Sequence, residues 1–367
     1  MSSHAALDRC LRVLSEADGS DLHIKVGSPP RIRVHGELRL MEGEPALSSE
    51  QTAEMATAIM RPEIAEHFST RGEADFAYSA ESLGRFRVNV FRQRGSVAAI
   101  FRRVRTSAST FEELGLPPDV IGRLALEHRG LVLVTGPTGS GKTTTLAAMI
   151  DHINQNRECH IVTIEDPIEV LHRDMKSSIN QREVGFDTQD FATAMRAAMR
   201  QDPDVILVGE MRDQETVAAA LSAAETGHLV LSTLHTIDAP ETINRIVDFF
   251  PPYQQNQVRV ALAGSIKGTV CQRLVQTVDG AGRVAVLEIM VANGRIQQCI
   301  LDPQKTSEIH EIVAEGEYYG MQTFDQALVK LYERGSIDLR GAMTAATSPH
   351  DLKVMLQQRG LVGTGTR

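Results

Sequence analysis

The sequence has no tryptophan, few other aromatic residues and only four cysteines. Cys10, Cys159, Cys271 and Cys299 are scattered along the chain and form no C-x-x-C pair. This pattern is typical of a reducing cytosol and excludes a tetracysteine zinc site. We expect Cys271 and Cys299 to be small fillers of the core.

Long apolar runs are also missing, because none approaches the roughly 18 residues that a membrane-spanning helix needs. The chain does not start with a basic segment followed by an apolar stretch, so we expect no secretory signal. The net charge of −9 argues against a general nucleic-acid binder. Between Glu81 and Thr110, however, seven arginines stand against one acidic residue. Such a run is usually a solvated face and gains a function only where something anionic lies opposite it.

The length of 367 residues favours two domains. Residues 1–105 have the patterns of a small α/β domain, with alternating apolar residues where strands are expected. The predicted elements are helices at 4–17 and 49–68, and two hairpins formed by strands 21–26 with 31–36 and 85–91 with 97–102. Residues 106–117 are rich in Ser and Thr and end in prolines, which predicts a linker.

From residue 118 to 367 we expect a second domain in which strands alternate with helices. The predicted strands are 131–135, 160–164, 204–208 and 229–233, and the predicted helices are 142–153, 190–200 and 213–226. This order indicates a parallel sheet with helices on its faces. Beyond residue 240 the pattern is mostly helical, with a short strand near 285–290, and the chain closes on a Gly/Thr-rich tail at 363–367.

The most informative motif is the pattern G-x-x-x-x-G-K-T, which runs from Gly136 to Thr143 between an apolar strand and a helix. Glycines let the backbone turn its N–H groups inward around phosphate oxygens. Lys142 is placed to reach the β- and γ-phosphates, and the Thr143 hydroxyl to hold Mg²⁺. A Gly-rich turn alone would be weak evidence, but the strand–loop–helix context predicts nucleoside triphosphate binding. The predicted binding residues are Gly136, Pro137, Thr138, Gly139, Ser140, Gly141, Lys142, Thr143 and Thr144.

Two acidic segments follow predicted strands. Glu210 ends the run Asp204–Glu210 and is either an Mg²⁺ ligand, which we favour, or an acid at a helix N-terminus. Thr163–Glu169 contains three carboxylates just after a strand, where a group that orients and deprotonates water is needed. Glu165 is the candidate base, with Asp166 and Glu169 in support. The alternative is that these acids begin a solvated loop.

Histidines and arginines complete the candidate catalytic set. His235, at the exit of a strand, is placed to donate to a γ-phosphate oxygen, whereas His228 either braces the same region or contacts a neighbouring subunit. The second domain offers no obvious arginine finger near its motifs. Arg87 and Arg102 lie on two strands of the first domain, which suggests that one subunit covers another's nucleotide and supplies the arginine that such reactions use.

Together these segments resemble the secretion-superfamily ATPases, and most closely the type IV pilus retraction ATPases of the PilT/PilU kind. The resemblance runs from about Ala17 to Tyr332. It rests on four blocks in order: the Walker A loop Gly136–Thr143, the Asp box Thr163–Glu169, the Walker B segment Val205–Glu210 and the His box Thr226–His235.

The resemblance implies a hexameric ring of subunits, each with a PAS-like N-terminal domain and a RecA-like ATPase domain that has a helical C-terminal region. It implies that ATP and Mg²⁺ are bound, that Glu165 orients the attacking water and that Glu210 coordinates Mg²⁺. It also implies that Arg87 and Arg102 are the paired arginines and that His235 senses the γ-phosphate. The implied setting is cytoplasmic, at the inner face of the cytoplasmic membrane. There the partners are a PilC-like platform protein and, in some systems, a second retraction ATPase.

Extension and type II secretion motors of the superfamily carry an extra N-terminal domain and a tetracysteine metal loop. Neither is seen in this sequence, so the resemblance favours retraction. One departure concerns the helix in which retraction ATPases carry Ala-Ile-Arg-Asn-Leu-Ile-Arg-Glu, because Gln297 and Leu301 stand in place of both arginines. An accessory PilU-like motor and an ATP-binding assembly module with weak hydrolysis therefore remain alternatives. A DNA-translocating motor is disfavoured by the acidic balance.

Overall fold

A computed structural model describes residues 3–362, so the predicted tail at 363–367 lies outside the described residues. The chain divides into two units. The first comprises Met1–Thr106 with Glu169–Leu171, and the second comprises Ser107–Ile168 with His172–Arg367. Most of the segment predicted as a linker belongs to the second unit, where Phe111 and Leu116 are buried in a hydrophobic cluster.

The first unit is a six-stranded antiparallel sheet with three helices, in the strand order β3-β2-β1-β6-β5-β4. Its elements are α1 Ser3–Glu16, β1 Asp21–Ile24, β2 Arg31–Val34, β3 Glu37–Leu40, α2 Ser49–Thr57, α3 Pro62–Arg71, β4 Glu73–Ala80, β5 Gly84–Gln93 and β6 Ser96–Arg103. Both predicted hairpins are confirmed as the antiparallel pairs β1–β2 and β5–β6.

The helix predicted over residues 49–68 is not continuous in the structure. A capping box at Ser48 begins α2, and Pro62 begins α3 as a separate helix. Proline has no N–H to continue a helix but suits its first turn, so the helical pattern divides there. Strand β3 was not predicted although its sequence Glu-Leu-Arg-Leu alternates, and all four of its residues are exposed.

The second unit contains a seven-stranded sheet in the order β13-β12-β7-β11-β10-β8-β9. Its strands are β7 Gly130–Thr135, β8 His160–Glu165, β9 Ser178–Glu183, β10 Val205–Val208, β11 Leu229–Leu234, β12 Ile266–Gln276 and β13 Arg283–Val291. Neighbouring strands are parallel except for β13, which is antiparallel to β12. The predicted parallel arrangement is therefore confirmed for the four predicted strands β7, β8, β10 and β11, and β13 adds an antiparallel strand at one edge.

Helices cover both faces of this sheet, and two apolar clusters fill the space beneath them. The helices are α4 Pro118–Ala125, α5 Lys142–Asn156, α6 Phe191–Ala198, α7 Gln214–Glu225, α8 Ala239–Asp248, α9 Pro252–Ser265, α10 Gly294–Leu301, α11 Ile309–Glu315, α12 Phe324–Glu333, α13 Leu339–Ala345 and α14 Pro349–Gln358. Short 3₁₀ helices occupy Pro303–Glu308 and Glu317–Tyr319. The predicted mixed α/β fold with a helical C-terminal extension is confirmed.

Cys271 and Cys299 are buried, as expected of core fillers. In the range 3–362, no helix combines the length and the apolar character that a membrane crossing requires.

The topology brings the chemistry-bearing segments to one edge of the second sheet. Strands β7, β11, β10 and β8 are neighbours and run parallel, so their carboxyl ends lie side by side. The phosphate loop follows β7, and His235 follows β11. Glu210 comes just after β10, and Glu165 is the last residue of β8.

Candidate active site

The loop from Gly136 to Gly141 lies directly against β12. Gly136 and Gly141 have φ angles of 140° and 93°, which side-chain-bearing residues rarely adopt. A Cβ added to Gly136 would lie 2.3 Å from the carbonyl oxygen of Gln272, and one added to Gly141 would lie 2.7 Å from its side-chain nitrogen. Gly136 is therefore required by conformation and by space, because its close neighbour is a backbone atom, whereas Gly141 is required by its conformation.

Gln272 is a residue of this site that the sequence patterns did not reveal. Its side chain is buried, and its Oε1 accepts a hydrogen bond of 2.7 Å from Thr145 Oγ1 in the first turns of α5. It thus contacts the loop and the helix that the loop begins. No sequence signal marked it, because β12 fell in a region predicted to be mostly helical.

Lys142 is buried, and its ammonium group points back into the loop. Its Nζ donates to the carbonyl oxygens of Gly136 and Pro137 at 2.7 and 3.1 Å. Burial lowers the pKa of Lys142, and the negative charge of Glu210 only partly offsets that effect. Ser140 Oγ is buried and has no hydrogen-bond partner in the described part of the chain. A lysine and a free hydroxyl at a helix N-terminus fit the oxygens of a phosphate group.

Glu210 is the centre of a charged group at the end of β10. Its Oε2 lies 2.7 Å from an Arg212 guanidinium nitrogen, and its Oε1 lies 2.9 Å from His235 Nε2. Burial alone would raise the pKa of Glu210, but the hydrogen bond from Arg212 and the charge of His235 outweigh it and lower that pKa. Glu210 is therefore held as a carboxylate.

The alternative of Glu210 as an acid at a helix N-terminus is not supported. Helix α7 is capped by Asp213, whose side chain accepts from the amide of Thr216. Glu210 precedes that cap, and its carboxylate contacts Arg212 and His235 instead.

Arg212 is an arginine of the second domain that contacts Glu210 directly. Its side chain is 65% exposed although it pairs with Glu210. The hydrogen bond and charge of Glu210, with a contribution from Asp166, raise the pKa of Arg212. The signal was present in the sequence two residues after Glu210, but only the loop conformation turns Arg212 back onto that carboxylate.

Glu165 lies beside the Glu210 segment. Gly209 N donates to Ile164 O at 2.8 Å, and a Cβ on Gly209 would be 3.4 Å from Glu165 Cα. Glu165 Oε1 accepts hydrogen bonds from Thr163 Oγ1 at 2.6 Å and from Gln181 Nε2 at 3.1 Å. The carboxylate is half-buried and oriented by these partners, in contrast to the exposed Asp166. Glu169, also exposed, belongs to the first unit.

His228 is not brought to this edge. It precedes β11, whereas His235 follows it, so the length of a six-residue strand, about 20 Å, separates them. Its Nδ1 lies 3.1 Å from Ala223 O, at the end of α7. Within one chain His228 stands at the opposite edge of the sheet, and a contact with a neighbouring subunit stays a prediction.

Arg87 and Arg102 lie opposite each other on β5 and β6 of the first unit, and both are exposed. Arg102 Nε donates to Asp21 Oδ1 at 2.8 Å. Burial alone would raise the pKa of Asp21, but hydrogen bonds from Ser20 and Arg102 outweigh it and lower that pKa. The two arginines thus form one exposed cationic patch on one face of this sheet.

Mg²⁺ fits this donor set. Among residues 3–362 no group of three or more His, Cys, Asp or Glu side chains is arranged to hold a metal by itself. Mg²⁺ usually takes few protein ligands and completes its shell with phosphate oxygens and water. The Thr143 hydroxyl and one carboxylate, that of Glu210, are a set of this kind.

A glycine-rich loop between a parallel strand and a helix, with carboxylates at the ends of neighbouring strands, defines the class of protein. This is a P-loop ATPase. The family model described as "Type II/IV secretion system protein" matches residues 81–317, which is more than half of the chain. The chain belongs to this family of secretion ATPases.

Two relatives from Pseudomonas aeruginosa match nearly the whole chain. The type IV pilus retraction ATPase PilT is 45% identical over 90% of this chain and 95% of its own length. The type IV pilus ATPase PilU is 42% identical over 95% of this chain and 91% of its own length. A crystal structure of the pilus retraction motor PilT with bound ADP superimposes with a TM-score of 0.85 at 46% identity, covering 94% of this chain and 99% of that one. The prediction of an ATPase is confirmed.

Proposed function

We propose that this ATPase hydrolyses Mg-ATP to drive the retraction of a type IV pilus. The observation that carries the proposal is the similarity to PilT along nine-tenths of the chain, together with an intact set of phosphate-loop, acidic and histidine residues. The likeness to a PilT structure with bound ADP supports an adenine nucleotide as the ligand.

Each residue of the set has a task in this proposal. Lys142 and the backbone N–H groups of Gly136 and residues 138–144 hold the phosphates, and Thr143 and Glu210 would hold Mg²⁺, which would neutralise charge on the transferred phosphoryl group. Glu165 orients the attacking water and accepts its proton. His235, fixed 2.9 Å from Glu210, contacts the γ-phosphate.

The working assembly in this proposal is a homo-hexamer. Arg87 and Arg102 of one copy approach the nucleotide of another copy, where charge builds up in the transition state. Their exposure on adjacent strands supports this role, because a guanidinium group that acts on a different copy must be accessible.

The proposed place of action is the cytoplasmic face of the inner membrane. There the ring transmits its stroke to a PilC-like platform protein, alone or beside a second retraction ATPase. No nucleic-acid partner is proposed, in keeping with the acidic net charge.

A deletion strain tests the direction of movement. We expect cells without this protein to be hyperpiliated and unable to twitch, because pili still assemble but are not withdrawn. We expect the wild-type gene to restore twitching. We expect Lys142→Ala and Glu210→Gln to abolish phosphate release by the purified protein and to leave the deletion strain unable to twitch. Bald cells would indicate extension, and undiminished phosphate release from either variant would contradict the assigned site.

An accessory motor of the PilU kind is the second candidate, and helix α10 favours it. Ile296, Cys299 and Ile300 of α10 are buried, so its apolar face is retained, but Gln297 and Leu301 are exposed where retraction ATPases carry arginines. If the deletion strain still twitches under low load and the purified protein releases phosphate only slowly, the accessory assignment replaces the first.

A further inference from the structure

Glu288 is a buried carboxylate that none of the roles above uses. It lies in the middle of β13, where its residue is 2% exposed, and it pairs with Cys271 of β12. Burying a carboxylate is unfavourable unless it is hydrogen-bonded, so its partners indicate why it is there.

Its strongest partner is the first residue of helix α8. Glu288 Oε1 accepts a hydrogen bond of 2.9 Å from the backbone N–H of Ala239, which is itself fully buried. The first N–H groups of a helix have no partner within the helix. In α8, Pro240 has no N–H, and the Asp238 side chain caps the amide of Glu241. The N–H of Ala239 is therefore the donor that needs an acceptor from elsewhere, and Glu288 supplies it.

The turn before α8 carries His235. This turn is short, because β11 ends at Leu234 and α8 begins at Ala239. His235 at its start contacts Glu210, and Ala239 at its end is held by Glu288. Between them, the Ile237 amide donates to Glu241 Oε2 at 2.8 Å. Thr236, the neighbour of His235, is buried and its hydroxyl lies 2.7 Å from that of Thr242 in α8. The start of the turn is therefore tied to the helix whose first N–H Glu288 holds.

We propose that Glu288 is a positioning residue that holds His235 in place for nucleotide hydrolysis by anchoring the N–H of Ala239. The inference rests on the proposed role of His235. The second carboxylate oxygen faces α11, where His310 Nδ1 lies 3.9 Å away. That contact does not involve the turn, which makes His310 a suitable control.

Three substitutions of Glu288 separate the acceptor from the charge. Glu288→Leu removes the acceptor, Glu288→Asp withdraws it by about one bond length and Glu288→Gln keeps it without charge. In phosphate-release assays on the full-length protein, we expect kcat to fall about tenfold in Glu288→Leu and by a smaller factor in Glu288→Asp. We expect KM to stay unchanged in both variants. We expect near-wild-type kcat for Gln and for the control His310→Ala. Should the Leu variant not fold, the comparison of Asp with Gln carries the same test.

A double-mutant cycle shows whether Glu288 acts through His235. In a His235→Ala background, Glu288→Leu is expected to have no further effect on kcat. An equal loss in both backgrounds, an unchanged kcat in Glu288→Asp, or full turnover by His235→Ala itself would overturn the proposal. Lys142→Ala, assayed in parallel, keeps this result separate from the ATPase assignment, which fails only if that variant still releases phosphate.

Discussion

Gly136 and Gly139 belong to the same loop but have different surroundings. Gly136 has no room for a Cβ because the carbonyl oxygen of Gln272 is too close, whereas nothing lies within 4 Å of the Cβ position of Gly139. Both have positive φ angles, 140° and 79°. The motif G-x-x-x-x-G-K-T requires glycine at the position of Gly136 and accepts any residue at the position of Gly139. The surroundings of the two residues explain that difference.

This difference predicts the effect of alanine at each position. Gly139→Ala is expected to lower the free energy of unfolding by only about 1–2 kcal/mol, because alanine must adopt a left-handed backbone conformation there. The variant is expected to retain nucleotide affinity. Gly136→Ala must also push the loop away from β12, so we expect at least about tenfold weaker binding of a fluorescent ADP analogue. Equal affinities in the two variants would show that contact with Gln272 does not shape the loop.

At the scale of elements, helix α8 and strand β13 are joined by a hydrogen bond to one buried carboxyl group, that of Glu288. Burial raises the pKa of Glu288 to about 7, against the lowering effect of the Ala239 amide. The charges of Asp238, Arg273 and Asp325 also act on this carboxylate, and His310 lies beside it. Since its ordinary value is 4.5, the folded protein binds this proton more tightly than the unfolded chain does.

A raised carboxyl pKa stabilises the fold at low pH. The contribution of Glu288 is complete below pH 4.5 and is lost as the pH rises through about 7. Between pH 5 and pH 8, we expect the wild type to lose about 2–3 kcal/mol of unfolding free energy relative to Glu288→Gln. Denaturant titrations at both pH values measure this difference. His310→Ala should behave like the wild type, and parallel losses in wild type and Glu288→Gln would disprove the assignment.

At the scale of the whole molecule, the proposed ring requires arginines from another copy. Arg87→Ala is the cleaner probe, because the structure shows no ion pair for Arg87 in residues 3–362, whereas Arg102 neutralises the buried Asp21. We expect Arg87→Ala to bind nucleotide normally but to hydrolyse it at least about a hundredfold more slowly. Mixing it with Lys142→Ala should restore part of the activity, because a mixed interface can combine one intact arginine with one intact loop.

Arg9→Ala, in the same unit, is the matched control for Arg102→Ala. Like Arg102, Arg9 forms an ion pair, with Glu44 at 2.7 Å, but it lies outside the arginine patch of β5 and β6. We expect its hydrolysis rate to equal that of the wild type. If both Arg87→Ala and Arg102→Ala hydrolyse nucleotide at the wild-type rate, the first unit does not contribute to catalysis.

Local patterns predicted those elements whose residues alternate or repeat on one face. Strand β5 alternates clearly, β6 contains a run of five apolar residues, and the phosphate loop is specified by its own eight residues. Strand β9 was missed because it is polar and mostly half-exposed, and β12 because its pairing with β7 and β13 is visible only in the folded sheet.

The sequence by itself determined the class of chemistry, because a phosphate loop needs only a strand, glycines and the start of a helix that are adjacent in the chain. It also determined the order of the acidic and histidine blocks along the parallel strands. Only the tertiary structure decided that Gln272 packs against the loop, that Arg212 and His235 meet at Glu210 and that Glu288 anchors α8. These contacts join residues from strands and turns far apart in sequence, and they depend on strand order and register, which no local pattern contains.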